Sequence, residues 1–299
     1  MIHPFCPYTS EYLYQTVFEG KQSILLDKWP QYQESLVNDK IEESFDIMKD
    51  VVSISSAARM KGKLKRRWPL NEAQICVKKN QKAKLESLSD LLKSQLNVEK
   101  FNIIETEKEN GLEQLLELKE IGLPVKSVLE LERKKIGPKA KQHMGKLVTT
   151  FTETNPDEII SALQKDGKYD FKIDDKVISL DREDFVVDFD ADENFAVSKR
   201  DEFVVFISTS RNKEMMAKGL VKDVARRLQT LRKERGYNPT DVLEVASILE
   251  LDEESLEMIK NRDKELAFLV RVKKVNFEES CKEYKDDDID GQKIKIAVE

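Results

Sequence analysis

The sequence predicts an α+β fold, with an N-terminal helical bundle followed by a mixed α/β region. Three observations predict it. Apolar positions between Gln31 and Arg59 recur at spacings of three and four, as on one face of a long helix. Pro69 stops that pattern, because proline has no amide proton and clashes with the preceding turn. Beyond it, short runs rich in Val, Ile and Phe alternate with helical stretches, the signature of an α/β region. The boundary falls near residue 70, giving a helical part over 1–70 and an α/β part over 71–299. The second part divides further at about 205, into 71–205 and 206–299.

Each element follows from its residues. Thr9 or Ser10 caps a helix that continues through Leu13, Val17 and Phe18. Residues from Gly20 to Trp29-Pro30 form an ordered connection around Ile24-Leu25-Leu26. The long helix places Ile41, Phe45, Met48 and Ala58 on one side and ends in the basic stretch after Arg59. Ala73–Lys78 reads as a strand, Gln81–Leu96 as a helix with Leu85, Leu88, Leu91, Leu92 and Leu96 on one face, and Lys100–Thr106 as a strand: a β-α-β unit. Strands are expected at Leu116–Lys119 and Val128–Glu132, and helices at Lys139–Thr150 and after Asn155-Pro156. Tyr169–Ile173, Val177–Leu180, Phe185–Phe189 and Phe203–Ser208 read as strands. A helix over Lys213–Gly236 buries Met216, Leu220, Val224, Leu228 and Leu231. Strands at Val242–Ile248, Ala267–Val275 and Lys293–Val298, with helix over Glu253–Lys264, complete the chain. No internal repeat is legible.

The composition narrows the function. There are 51 Lys and Arg against 57 Asp and Glu, a net charge of −6, but the charge is unevenly spread. Ala57–Lys84 holds ten basic residues and one acid, and Arg211–Arg235 nine basic residues and three acids. Two concentrated basic segments on an acidic background point to polyanion contact. No apolar run reaches the ~20 residues of a membrane span and the N-terminus lacks a signal-peptide layout, so a soluble cytoplasmic chain with no membrane partner is expected. Three separated cysteines, Cys6, Cys76 and Cys281, suit neither a disulfide framework nor a cysteine zinc site.

Sites for chemistry fail on spacing. Asp286, Asp288, Asp290 and Gly291 imitate the start of a calcium loop, but the twelfth position is Ala297, so an acidic turn between strands is expected. Gly137 and Gly145-Lys146 lie too far apart for a phosphate loop, and Leu147 replaces the hydroxyl residue. His3 and His143 have no nucleophile or second ligand nearby. No catalytic residue and no metal site is assigned.

What remains is Arg59-Met-Lys-Gly-Lys63-Leu-Lys65-Arg66-Arg67-Trp68-Pro69-Leu70, in which six of the first nine residues are basic. Lys and Arg suit phosphates, and a planar indole or guanidinium suits unstacked bases. Arg59, Lys63, Lys65, Arg66 and Arg67 are the expected phosphate ligands, and Trp68 stacks on a base or packs under the helix. Arg226, Arg227, Arg232 and Lys233 extend the track.

Several stretches, taken in order, resemble a family. His3-Pro4-Phe5-Cys6-Pro7-Tyr8 through Glu11-Tyr12-Leu13-Tyr14 resembles a stretch in the helical anticodon-binding domain of class I aminoacyl-tRNA synthetases for branched aliphatic amino acids. Ser23-Ile24-Leu25-Leu26 with Trp29-Pro30 is similar to the segment that follows it there. Ala57-Ala58-Arg59 with Leu64-Lys65-Arg66-Arg67-Trp68-Pro69-Leu70 resembles isoleucyl-tRNA synthetases, especially the archaeal and eukaryotic-like group. Gly137-Pro138-Lys139, and Gly219-Leu220-Val221-Lys222-Asp223-Val224-Ala225-Arg226-Arg227-Leu228-Gln229 with Leu231-Arg232-Lys233, are similar to its later stretches.

The resemblance implies a C-terminal fragment that binds the anticodon stem-loop of isoleucine tRNA. It implies an aminoacyl-tRNA ligase as parent, with ATP and Mg used there and no cofactor in this fragment. The HIGH and KMSKS signatures and the editing domain are not in this sequence, so the fragment is expected to be inactive alone and to have those domains as partners. The equivalent region of a valyl or leucyl enzyme, or a protein-interaction module docking through its acidic α/β half, are the alternatives.

Overall fold

A computed structural model describes residues 2–18, 22–29, 31–289 and 291–299. Gly20, Pro30 and Asp290 of the stretches above lie outside the described residues. The chain is a mixed α/β protein of two compact units, residues 1–42 and 43–299. In the first, α1 spans Pro7–Val17. It begins two residues earlier than Thr9 because Pro7, with its fixed φ, occupies the first helical position. Ser10 is inside the helix, donating to the Cys6 and Pro7 carbonyls instead of capping. The Glu11 carboxylate accepts from Ser23 Oγ and the Ile24 amide, which orders the Ile24–Leu26 turn.

The long helix α2 runs Asp39–Lys61. It starts later than the periodicity predicts because Asn38 Oδ1 accepts from the Ile41 amide and sets the helix start there. Acids Asp39 and Glu42 lie in its first turn and Arg59 and Lys61 in its last, complementing the helix dipole. Then come β1 (Leu70–Val77), α3 (Lys79–Glu86), α4 (Ser89–Leu96) and β2 (Val98–Glu105). The two strands are parallel, as the β-α-β pattern predicts, although the crossover is two short helices and not one.

The next segment is α5 (Gly111–Glu120), β3 (Val125–Leu131), α6 (Arg133–Ala140), α7 (Met144–Glu153), α8 (Pro156–Asp166), β4 (Lys168–Ile173), β5 (Lys176–Asp181) and β6 (Phe185–Ala191). Leu116–Lys119 is therefore helical; Leu112, Leu115 and Leu118, three apart, all turn inward, and that period outweighs the local β appearance. The helix expected over Lys139–Thr150 is broken at Lys141, where φ is 45°. Two further strands, β7 (Phe195–Arg200) and β8 (Phe203–Ser208), return to the first sheet, whose order is β2-β1-β8-β7.

The last part is α9 (Lys213–Glu234), β9 (Leu243–Leu249), α10 (Glu253–Lys260), α11 (Asp263–Val270), β10 (Val272–Asn276), β11 (Lys285–Ile289) and β12 (Gln292–Val298). Ala267–Val270 ends a helix, Arg271 takes a left-handed turn, and only then does the strand begin. The Asp286–Asp288 acids lie in β11, paired with β12, and so belong to a strand and not to a turn.

This second sheet has the order β10-β9-β12-β11, with β9 and β10 parallel and the other pairs antiparallel. That is the topology of the first sheet again, preceded in each case by a long helix. The agreement extends to residues. Leu70 faces Val98 and Ile75 faces Val205, while Leu243 faces Val272 and Ile248 faces Ile296. Buried Val51, Ala58, Leu85, Leu92 and Leu96 of one core correspond in place to Val224, Leu231, Ile259, Leu266 and Val270 of the other. The chain therefore contains an internal repeat, which the sequence reading missed. The copies differ chiefly in the link after the β-α-α-β crossover. In the second it is short; in the first it carries α5 through β6, packed on the outer face of the sheet against Cys76, Val197, Val204 and Phe206.

Candidate nucleic-acid interface

The basic stretch after α2 is where the two copies of the repeat meet. Just past the helix end, Lys63, with a φ of 53°, turns the chain back, and the Leu64 amide donates to the Arg59 carbonyl. The following turn, closed by Trp68 N–H to the Lys65 carbonyl, carries the cations.

Arg59 is not among those that reach solvent. Its side chain is buried, and its guanidinium donates to four carbonyls: Lys65 (3.1 Å), Trp68 (3.1 Å), Leu96 (2.8 Å) and Asn97 (3.2 Å). Burial, with the nearby charges of Arg211 and Arg66, lowers its pKa to about 10, so it stays protonated at neutral pH. Arg232 is its counterpart in the second copy. It too is buried, donating to the carbonyls of Asn238 (3.2 Å), Asp241 (2.7 Å), Arg271 (3.0 Å) and Val270. Each arginine thus ties a helix end, the turn after it and the end of the β-α-α-β crossover together. Neither is placed to hold a phosphate.

Trp68 is buried as well, and it packs instead of stacking on a base. Its ring lies over Gly219 of α9 so closely that a Cβ there would sit 2.4 Å from a ring carbon. Its indole Nε1 donates to Asp223 Oδ2 at 2.8 Å, one helical turn further along. Lys65 Nζ reaches the same oxygen at 2.8 Å, and Arg67 Nη2 lies 3.5 Å from Oδ1. Arg211 covers the indole at 4.7 Å, a cation–π contact. Burial alone would raise the Asp223 pKa, but the bonds from Lys65 and Trp68 and the charges of Lys65 and Arg67 bring it below the ordinary carboxylate value. The stretch ending in Trp68-Pro69-Leu70 and the stretch Gly219-Leu220-Val221-Lys222-Asp223 are therefore two halves of one contact. Gly219, Asp223, Lys222 and Arg211 were not singled out from sequence, although the first three stood in the resembling stretch.

The cations that do face outward are fewer. Lys63, Arg66, Arg226 and Lys233 are exposed, and Lys65, Arg67 and Lys222 are partly so. Arg227 turns the other way, pairing with Asp287 at 3.3 Å and donating to the Asp288 carbonyl at 2.7 Å. Arg67 of the first copy and Lys222, Ala225, Arg226 and Gln229 of α9 line a shallow groove of about 390 Å³, floored by Leu269. Arg67 is half-exposed there, although its Nη1 is itself buried and has no hydrogen-bond partner among the described residues. A groove lined by three cations, with the exposed Lys63 and Arg66 on the same stretch as Arg67, can hold phosphates of a polyanion. Among the described residues no group of His, Cys, Asp and Glu is arranged to hold a metal ion. No helix among them is long and apolar enough to cross a membrane.

Residues 1–75 match the family described as the anticodon-binding domain of tRNA ligase. The whole chain is similar to the isoleucine–tRNA ligase of Methanocella arvoryzae, with 25% identity over all of this chain and 27% of the relative. It is 26% identical to that of Pyrococcus furiosus over 94% of this chain and 24% of the relative. The Bacteroides fragilis enzyme is 25% identical over 82% of this chain and 21% of the relative. The chain spans about a quarter of the length of the relatives it matches.

Proposed function

We propose that this chain, similar from end to end to part of isoleucine–tRNA ligases, is a tRNA-gripping portion of such an enzyme. Residues 1–70 form part of a helical anticodon-binding bundle; the exposed Phe5, Tyr8, Tyr12, Leu25 and Trp29 support this reading, since bundle helices cover such side chains. Residues 71–299 carry the α/β part, the second copy of the repeat forming its last section. The parent enzyme, in the cytoplasm, supplies the catalytic and editing domains, and with them ATP and Mg. The role of this portion is to orient the tRNA, which lowers the entropic cost of bringing its acceptor end to the distant reaction centre.

The observation that carries the proposal is the groove that brings Arg67 together with Lys222 and Arg226 from segments far apart in sequence, with Lys63 and Arg66 exposed on the stretch that carries Arg67. Phosphate contacts release counterions, so affinity for isoleucine tRNA falls steeply with salt, by about 0.7–0.9 in logarithmic slope per contact. Fluorescence anisotropy with a labelled isoleucine tRNA transcript at several salt concentrations checks this. A Lys63→Ala/Arg66→Ala/Arg226→Ala chain should bind more weakly and with a shallower slope. Salt-independent binding, or a triple variant indistinguishable from the parent, would overturn the proposal.

A further inference from the structure

We infer that Asp223 is a positioning residue that locks the two copies of the repeat into one tRNA-binding surface. The inference rests on the tRNA reading above, and adds a role for an acidic residue in the middle of a cationic site.

The groove is composite. Arg67 belongs to the turn of the first copy, and Lys222 and Arg226 to the long helix of the second. Their spacing therefore depends on how the copies are joined. The join includes Trp68 over Gly219 and under Arg211, Lys218 Nζ on Glu99 at 2.9 Å, and the Asp223 carboxylate with its three donors. Lys218 is on the same helix but its partner is exposed, so that pair is weak. Among the described residues Asp223, with a side chain only 6% exposed, is the one group that engages Trp68, Lys65 and Arg67 together. It holds Arg67 by Nη2 and so fixes that half-exposed side chain at the groove beside Lys222, the next residue back along α9. A carboxylate at the same time repels phosphate. Its presence among the cations is explained if fixing their geometry matters more than the charge it subtracts.

The sign of one substitution separates the two effects. Asp223→Asn keeps an oxygen to accept from the Trp68 indole, is nearly isosteric, and removes one negative charge. If Asp223 acted only through its charge, tRNA would bind more tightly. If it positions the cations, tRNA binds more weakly, by about tenfold, with a shallower salt slope as at least one phosphate contact is lost. Asp223→Glu, which keeps the charge, should recover part of the loss.

A second measurement reads the join itself. Spin labels on Asp90→Cys in the first copy and Glu253→Cys in the second, with Cys6 and Cys281 replaced by Ser, should give one narrow distance distribution in the otherwise unaltered chain. The distribution should broaden in Asp223→Asn. Weaker binding together with broadening is the expected result. Tighter or unchanged tRNA binding overturns the inference, whatever the distances do, and an unbroadened distribution overturns the locking role. Absence of salt-dependent tRNA binding in the unsubstituted chain instead overturns the functional reading, and the distances then report separately on whether Asp223 joins the copies.

Discussion

At the scale of single residues, the same side-chain type does opposite work within one turn. Arg59 and Arg66 are seven residues apart, yet one is sunk among four carbonyls and the other faces water. A lysine has no planar fork to span four acceptors. Arg59→Lys, and equally Arg232→Lys, should therefore leave several buried carbonyls unsatisfied and cost roughly 3 kcal/mol or more. Urea titration of each variant measures this. Charge is retained in both, so a loss of stability separates the structural role from any role in binding.

Lys63 offers the converse test. Its left-handed conformation costs a side-chain-bearing residue free energy, and its counterpart in the second copy is Gly236, with φ of 78°. Lys63→Gly should raise stability by up to about 1 kcal/mol while weakening tRNA binding through the lost charge. Thermal denaturation and anisotropy, run on the same sample, should move in opposite senses.

Such distinctions are not legible in sequence. The basic stretch was visible from composition, and its importance from resemblance. Which of its members are buried was not, because burial is decided by residues at 96, 97, 219 and 223 that approach only in the folded chain.

At the scale of elements, periodicity served well where an element has one long buried face. The helices α2 and α9 were expected within a few residues at most boundaries, as was the parallel β-α-β unit. It failed for short elements joined by left-handed residues. Asn97 and Arg271, with φ of 51° and 55°, turn helix into strand without the Gly or Pro that would announce it. That is why Ala267–Val275 looked like a single strand.

The packing of α9 on the Trp68 turn carries two predictions at this scale. Gly219→Ala places a methyl group inside the indole ring, so the helix or the turn must move, and overpacking of this kind costs about 1–3 kcal/mol. The cost should shrink in a Trp68→Leu background, which a double-mutant cycle measures.

The second prediction concerns pH. The folded-state pKa of Asp223 lies below its ordinary value of 3.8, so its clamp contributes in full above that value. As pH falls through the lowered folded pKa, protonation removes the contribution. The difference in stability between the unsubstituted chain and Asp223→Asn should be constant from neutral pH down to about 5 and vanish in stronger acid. A difference that persists unchanged in strong acid would show that the ionised carboxylate is not what holds the turn.

At the scale of the whole chain, the repeat was hidden because its copies share a pattern of burial more than a pattern of letters. Arg59 and Arg232, Leu70 and Leu243, and Ile75 and Ile248 coincide, but Trp68 occupies the place of Asp241 and Lys63 that of Gly236. The long segment from α5 to β6 in one copy also destroys any constant spacing between the halves.

The repeat nevertheless has a consequence for autonomy. The second copy buries Leu220, Val224, Leu228, Ile248, Leu266, Ile294 and Ile296 against one another, a core that among the described residues includes none before 220. The first copy cannot be excised so cleanly, because Cys76, Val197, Val204 and Phe206 on the outer face of its sheet are covered by the inserted segment. Residues 209–299 expressed alone should therefore unfold in one cooperative step. A chain in which residues 107–194 are replaced by a short polar linker should expose those four side chains, bind a hydrophobic dye and aggregate. Loss of cooperative unfolding in 209–299 would mean that the second copy draws its stability from the Trp68 contact, and the join at Asp223 would then be holding up a domain and not merely orienting one.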